Sequence, residues 1–357
     1  MAVVATGFFD GVHLGHRQVI RSLVSLARRR GEPALVVTFS QHPRTVLQQD
    51  AHQLRLLNSP QEKEALLLGL GVDRVETLVF DRGFARLTAE EYLRTVLRDR
   101  LGATALVLGY DNRLGSDRLG PDRLVPLAES LGLEVVVIPP ATADVAETAA
   151  DDSCRLNAAP AGTCRPRHGR GGTTSVVGSE EIGEFCDSAK FSDSCDSPRG
   201  CVAAGKALSR SEGSAVVSSS KIRKALSDGN VEEAEAMLGY AYGLRGVVVS
   251  GKQLGRTIGF PTANLRLYDP MKLIPGRGVY LTEVEVLGGH YWGMTNIGDI
   301  LETHIFDFDE DIYGHDLQLR FRRRLREMRS FDSLEALREQ LSADEAACRE
   351  LLRTEMS

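Results

Sequence analysis

Nowhere in this 357-residue chain does an apolar run approach the roughly 20 residues a membrane-crossing helix needs. An excess of positive charge is missing too: 43 Lys and Arg face 49 Asp and Glu, for a formal charge of −6. No general basic field exists to hold nucleic acid, so that class of partner is not expected. The arginines of 320–329 are local and read as a solvated strand face. The opening MAVVATGFFDG has neither the basic start nor the long apolar core of a secretory signal, so a cytoplasmic location is expected. Cysteine is scarce and uneven. Cys154, Cys164, Cys186, Cys195 and Cys201 crowd one polar segment and only Cys348 lies elsewhere; no CxxC pair and no histidine at zinc-finger spacing accompanies them. Thiols in a disordered insert explain that pattern at least as well as a metal or disulfide cluster.

What is present fits two ordinary soluble domains, with 42% hydrophobic and 26% charged residues. In the first 140 residues, short β-branched runs (Ala34–Phe39, Val75–Phe80, Ala105–Gly109, Leu133–Ile138) alternate with helical patterns. Ile20, Leu23, Val24 and Ala27 mark one face of a helix. Strand–helix alternation predicts an α/β domain with a parallel sheet covered on both faces, and ligands at the carboxyl ends of its strands. From about 144 to 214 periodicity vanishes, and a disordered insert is expected. A serine-capped helix then starts at SSSKIRKAL, followed by Val231–Leu238 with Gly239 as its terminator. Gly246–Ser250, Val279–Val286, Tyr291–Asn296, Glu302–Phe306 and Leu317–Phe321 read as short strands of a small antiparallel β-barrel. Leu317, Leu319 and Phe321 should face inward. A capping box at Asp332–Glu335 should open a C-terminal amphipathic helix carrying Leu334, Leu337 and Leu341.

Two constellations carry chemistry. The first, Gly7-Phe-Phe-Asp10-Gly11-Val-His13-Leu-Gly15-His16, lies between a strand and a helix, where backbone N–H groups and the helix dipole receive phosphate. His13 and His16 would point at the same anion and stabilise charge growing as pyrophosphate leaves an α-phosphate. A short HxGH string alone is more often a pair of ordinary histidines; its strand–turn–helix setting favours phosphate chemistry. Ser218, Ser219 and Arg223 at a second helix start read by themselves as an N-cap with a solvated basic face, and beside the first motif as a clamp on the β- and γ-phosphates. The second constellation runs from Gly251 through Gly255 and Gly259 to Thr262 and Asn264. Its glycines suit a flap over phosphates, and its hydroxyl and amide oxygens suit Mg²⁺ beside ATP; plain turn chemistry is the alternative. Glu302 opens a strand and is the candidate base for a hydroxyl under phosphorylation, although spacing alone equally allows a solvent-facing carboxylate.

Taken together, GFFDGVHLGH, FSQHPRTVL, GYDNRLGSDRLG and SSSKIR, then GKQLGRTIGFPTANL, GVY, NIG and ETHIFDFDEDIYG, resemble prokaryotic bifunctional riboflavin kinase/FMN adenylyltransferases. The resemblance covers nearly all of the chain except the insert. It implies a Rossmann-like nucleotidyltransferase domain over 1–238 and a riboflavin kinase barrel over 239–357. ATP would be the co-substrate of both, riboflavin, FMN and FAD the other substrates and products, and Mg²⁺ the metal. It implies that His13 and His16 assist adenylyl transfer and that Arg223 holds ATP phosphates. It places Thr262 and Asn264 at the metal, Glu302 as base, and Asp111, Arg326 and Phe331 at flavin. Two departures stand out: Asn112 replaces a usual phenylalanine, and only Asp299-Ile300-Leu301 separate NIG from the glutamate strand, where the family carries a loop longer by roughly ten residues. That deletion raises the alternative of an adenylyltransferase whose kinase half is impaired. A non-catalytic flavin or nucleotide carrier is the alternative of another class.

Overall fold

A computed structural model of the chain describes residues 1–47, 54–140, 216–251 and 254–355. The expected insert, with its five cysteines, lies outside the described residues. The N-terminal half is a five-stranded parallel sheet in the order β3-β2-β1-β4-β5, formed by Ala2–Thr6, Ala34–Phe39, Arg74–Leu78, Ala103–Gly109 and Glu134–Ile138 for β1 to β5. β1 has the sequence AVVAT and is buried along its whole length, as a central strand covered on both faces must be. One face packs on α1 (Leu14–Arg30) through Val19, Ile20, Leu23 and Ala27, and on the Pro60–Gly69 helix through Leu67. The other packs on Tyr92, Leu93 and Leu97 of a π-helical stretch, and on Leu124 and Ala128 of the Pro121–Ser130 helix. The chain order reverses between β1 and β4, so their carboxyl ends form the switch point at which open α/β sheets bind ligands.

The C-terminal half is a closed barrel in the order β10-β7-β6-β11-β8-β9. Its strands are β6 (Gly243–Val249), β7 (Ala263–Leu267), β8 (Gly278–Val286), β9 (Gly289–Ile297), β10 (Leu301–Ile305) and β11 (Asp316–Arg326). Leu317, Leu319 and Phe321 are fully buried inside it, as the alternation predicts. β7 is a strand that the sequence reading missed. Ala263 and Leu265 point inward, yet its first residues read as part of a glycine-rich turn. Thr282, Thr295 and Thr303 form a buried hydroxyl ladder across β8, β9 and β10, with oxygen separations of 2.8 and 2.9 Å.

The C-terminal helix, Leu334–Glu355, covers the barrel's outer face with Leu341, Cys348, Leu351 and Leu352. Its start corrects two expectations. Ser333, not Asp332, caps it, accepting the Ala336 amide at 3.1 Å; the third helical position is then an alanine, so no reciprocal carboxylate bond forms. Leu334 precedes the contact face and is 51% exposed.

The helices Ser219–Ser227 and Val231–Leu238 form as expected, capped by Ser218 and ended by Gly239 in the left-handed region. Their buried residues Ile222, Leu226, Val231 and Leu238 share one core with Tyr242, Leu244 and Tyr280 of the barrel half, and with Leu57 of the sheet half. Four arginines of β11 are ion-paired, Arg320 and Arg322 with Glu283, Glu285 and Glu235, Arg323 with Glu232, and Arg326 with Asp344, while Arg324 donates to the carbonyls of Asp228 and Arg277. Thr295→Val removes the centre of the threonine ladder and leaves the Thr303 hydroxyl buried without its partner. It should lower stability by about 1–3 kcal/mol, read as a lower urea midpoint at unchanged slope.

Candidate functional site

At the switch point a cleft of about 330 Å³ is lined by Thr6–Asp10, His13, Gly15, His16, His42, Gly109–Asn112, Ser218–Ser220 and Arg223. Segments from both sides of residues 141–215 therefore meet in one pocket. The turn after β1 is strained: Phe9 (φ 53°) and Val12 (φ 37°) lie in the left-handed region that side chains disfavour, flanking Gly11 at 85°. Gly11 also has no room for a side chain, since a Cβ there would come within 2.6 Å of Leu57 Cδ1. Buried polar groups hold the turn in place. Tyr240 Oη donates to Gly11 O at 2.9 Å, Arg17 Nε donates to Val12 O at 3.2 Å, and Lys63 Nζ donates to Phe8 O at 3.1 Å.

His13 is the N-cap of α1, its Nδ1 accepting the His16 amide at 3.4 Å. The two imidazoles stack 3.7 Å apart, nearly parallel, and Phe9 closes edge-on against His16. Burial pushes His13 down to about 4, aided by the nearby Arg223 and opposed by its own backbone contact. Burial also holds His16 well below 6.5, with His13 and Lys63 adding to the effect. Both rings are thus neutral at pH 7. His16 Nδ1 is shielded and has no hydrogen-bond partner.

Asp10 lines the cleft with both carboxylate oxygens already engaged. Its Oδ1 accepts the Leu57 and Asn58 amides at 3.0 and 3.3 Å, and its Oδ2 pairs with Arg223. Burial raises its pKa, with Arg223 and the two amides opposing. Arg223 Nε also donates to Arg55 O at 2.9 Å, and Ser219 Oγ donates to Asp10 O at 2.9 Å. Asp111 is exposed at the cleft rim, and Asn112 Nδ2 donates to Thr6 O at 3.1 Å, tying the ends of β4 and β1 together. Gly7 and Gly15 line the cleft.

Sequence reasoning passed over Lys63 and His42. Lys63 lies over the Phe8 ring at 4.1 Å and is pushed down to about 8 by burial, with Asp10 opposing. Nothing local to its helix distinguishes it; only the fold brings it beneath the turn.

A second constellation lies on the outer face of the barrel. Register pairs Glu302 of β10 with Asn264 of β7 on one side and with Asn296 of β9 on the other. Asn296 in turn pairs with Val279 of β8, and Val279 with Arg326 of β11. Directly paired residues share a face, so these five form one transverse row opposite the inward threonines. The three-residue loop after Ile297 leaves that register intact, because Ile297 pairs with Leu301 and Glu302 stays beside both asparagines. Asn264 is buried and leans toward Gly251, where a Cβ would lie 2.0 Å from Asn264 Nδ2. Gly255 lies inside, and Gly259 just after, a single helical turn, Leu254–Thr257, that precedes Thr262; the expected open glycine flap is partly helical. The amide oxygens of Asn264 and Asn296 are both buried without a partner. His304 Nδ1 lies 2.8 Å from Pro261 O and steadies the approach to Thr262. Arg326 is held by both oxygens of Asp344, with the Phe331 ring 5.8 Å from its guanidinium carbon. Hard oxygen donors around a carboxylate fit Mg²⁺. Among the described residues, no group of three His, Cys, Asp or Glu offers another metal site.

A family model described as FAD synthetase matches residues 1–150, and one described as riboflavin kinase matches residues 238–352. A bifunctional riboflavin kinase/FMN adenylyltransferase of Escherichia coli (strain K12) is 31% identical over 358 residues, covering 98% of this chain and 92% of that protein. Its counterpart in Bacillus subtilis (strain 168) is 28% identical, covering 96% and 90%. The chain belongs to the bifunctional riboflavin kinase/FMN adenylyltransferase family. A crystal structure described as a macrolide-efflux protein from Streptococcus pneumoniae shares the fold, with a TM-score of 0.74, 29% identity, and coverage of 98% of this chain and 93% of that one. No helix among the described residues is long and apolar enough to cross a membrane.

The buried histidines have a consequence for acid stability. Between pH 6.5 and about 4 the unfolded chain protonates His13 while the folded chain does not, so this residue makes stability fall as pH falls through that window. His13→Asn keeps a capping acceptor without the titration. The variant should therefore lose less stability than the parent between pH 7 and 4, by about 3 kcal/mol at most, in urea titrations at each pH.

Proposed function

We propose that the N-terminal cleft transfers the adenylyl group of ATP to FMN, and that the barrel's outer row transfers the γ-phosphoryl group of ATP to riboflavin. Two separate phosphate-handling constellations on one chain carry this reading: stacked imidazoles in a cleft at a helix N-terminus, and Asn264 in register with Glu302 beside a glycine turn. Residues 1–238 are assigned to the first reaction and 239–357 to the second. The site of action is the cytoplasm.

In the cleft, an FMN phosphate oxygen attacks the α-phosphorus of ATP, and the bond to the departing pyrophosphate breaks. Gly7, Gly15 and the start of α1 present backbone to the phosphates. His13 and His16 hydrogen-bond the oxygens on which charge accumulates, and a bound polyanion raises the pKa of both rings from their depressed resting values. Arg223 clamps the β- and γ-phosphates with Ser218 and Ser219. Asp10 acts through Arg223, which it orients, and does not touch phosphate. The loop bearing Asp111 shapes the flavin side.

On the barrel, the primary hydroxyl of riboflavin attacks the γ-phosphorus, its proton passes to Glu302, and ADP leaves. Gly251, Gly255 and Gly259 let backbone approach the phosphates. Thr262 and Asn264 would hold Mg²⁺, which neutralises phosphate charge when bound. Arg326, locked by Asp344, and Phe331 form the flavin end. The intact register around the short β9–β10 loop favours this reading over an adenylyltransferase with an impaired kinase half.

Purified chain incubated with ATP and Mg²⁺ should convert riboflavin to FMN and, in a separate assay, FMN to FAD. Tight flavin binding with neither conversion would favour a carrier. His16→Ala should lower FAD formation at least 100-fold while FMN formation persists, and parallel loss of both in a folded variant would refute separate sites. Asn264→Ala should cut FMN formation at least 10-fold and raise its Mg²⁺ requirement without altering FAD formation. An unchanged Mg²⁺ dependence would remove Asn264 from the metal.

A further inference from the structure

The asparagine oxygens flanking Glu302 are both buried and unpartnered, but only Asn264 lies on the side of the phosphate-handling turn. Asn296 lies on the opposite side, about 4.8 Å from Glu302 by the spacing of neighbouring strands. Beyond it the row turns apolar at Val279 and ends at Arg326 beside Phe331, about three strand spacings (roughly 14 Å) from Glu302. A buried amide oxygen left without a donor costs stability, so it calls for a partner from outside the chain such as water, an ion or a ligand. The donor that fits here is a hydroxyl. The row runs from acid through a lone acceptor to an apolar and aromatic end, which matches a molecule with a hydroxylated chain at one end and a flat ring at the other.

We propose that Asn296 is a specificity-determining residue of the kinase site, its Oδ1 accepting a hydrogen bond from a secondary hydroxyl of the substrate's polyol chain. This holds the chain extended across β9 so that its primary hydroxyl reaches Glu302. The inference deepens the kinase reading of the barrel and rests on it for the identity of the substrate. It assigns Asn296 to the polyol and leaves Thr262 and Asn264 to the metal, because the register separates the two asparagines by the width of the β10 strand. Sites that accept a substrate hydroxyl discriminate strongly against analogues that lack it, since the buried acceptor is then left unsatisfied.

The test compares riboflavin with its three singly deoxygenated analogues, lacking the 2′, 3′ or 4′ hydroxyl of the side chain, on the parent and on Asn296→Ala. Phosphorylation (kcat/KM) and binding (flavin fluorescence) are both read. One analogue should be at least 10-fold poorer than riboflavin for the parent and nearly equal to it for the variant, with the loss on riboflavin itself chiefly in KM. The urea midpoint should be unchanged or raised, because the substitution removes an unsatisfied buried acceptor. A variant that weakens all four flavins equally, keeps the parent's ranking, or lowers the midpoint marks a structural residue and overturns the proposal. The binding arm separates the two readings. Loss of analogue discrimination in binding without any phosphorylation by the parent would sink the kinase reading and keep the polyol contact. An identical ranking in an active parent and variant would sink the contact alone.

Discussion

The buried pair of Asp10 and Arg223 is the contact on which the N-terminal site depends. It joins three stretches distant in sequence: the turn after β1, the bend at Leu57 and Asn58, and the Ser219–Ser227 helix. A carboxylate taken this far out of water is tolerable only with its charge answered and its remaining lone pairs bonded, and both conditions are met here. Removing either partner strands the other charge, which typically costs several kcal/mol. The arginine is thereby fixed by the fold in the same cleft as the two imidazoles. Electrostatic preorganisation has this form: charge held in place by the fold, with no rearrangement left for the moment of reaction.

The same turn shows how strain and charge are combined. Val12, a β-branched residue, holds a backbone conformation it would not choose, and the hydroxyl of Tyr240 and the side chains of Arg17 and Lys63 keep it there through backbone carbonyls. Burial keeps both rings neutral at rest, with the charge of Arg223 adding to the effect on His13 and that of Lys63 to the effect on His16. The barrel solves its problem differently. Its row of site residues is set by hydrogen-bonded register alone, with an inner threonine ladder and an outer helix holding the strands from both sides.

Much of this was legible in the residues. Continuous apolar runs located the strands of the sheet, a period of 3.6 located α1, and alternation or clustering located most of the barrel. Gly239 and Ser218 announced their helix ends by chemistry that is local. What escaped was non-local. β7 is only five residues long, and its first two fall inside the string that reads as a glycine-rich turn. Lys63, 55 residues downstream of Phe8, becomes significant only when its helix passes under the Phe8 carbonyl. Asp10 reads in sequence as part of a phosphate loop, and only the fold reveals that its oxygens hold Arg223 and the Leu57 and Asn58 amides. The short β9–β10 connection looked damaging in sequence, yet antiparallel pairing re-established itself around a tight turn.

The helices between Ser219 and Leu238 bury their apolar side with the barrel while Ser219 and Arg223 reach back to the cleft. Each half of the chain is therefore incomplete as a unit of inheritance. A fragment ending near residue 150 would keep every strand of the parallel sheet and still lack the arginine that answers Asp10. Gene fission between residues 141 and 215 would leave one product with a buried, unanswered carboxylate and the other with a helix that has lost its counterpart. Fusion of the two halves is in that sense written into the packing, independently of any advantage in passing FMN from one reaction to the next.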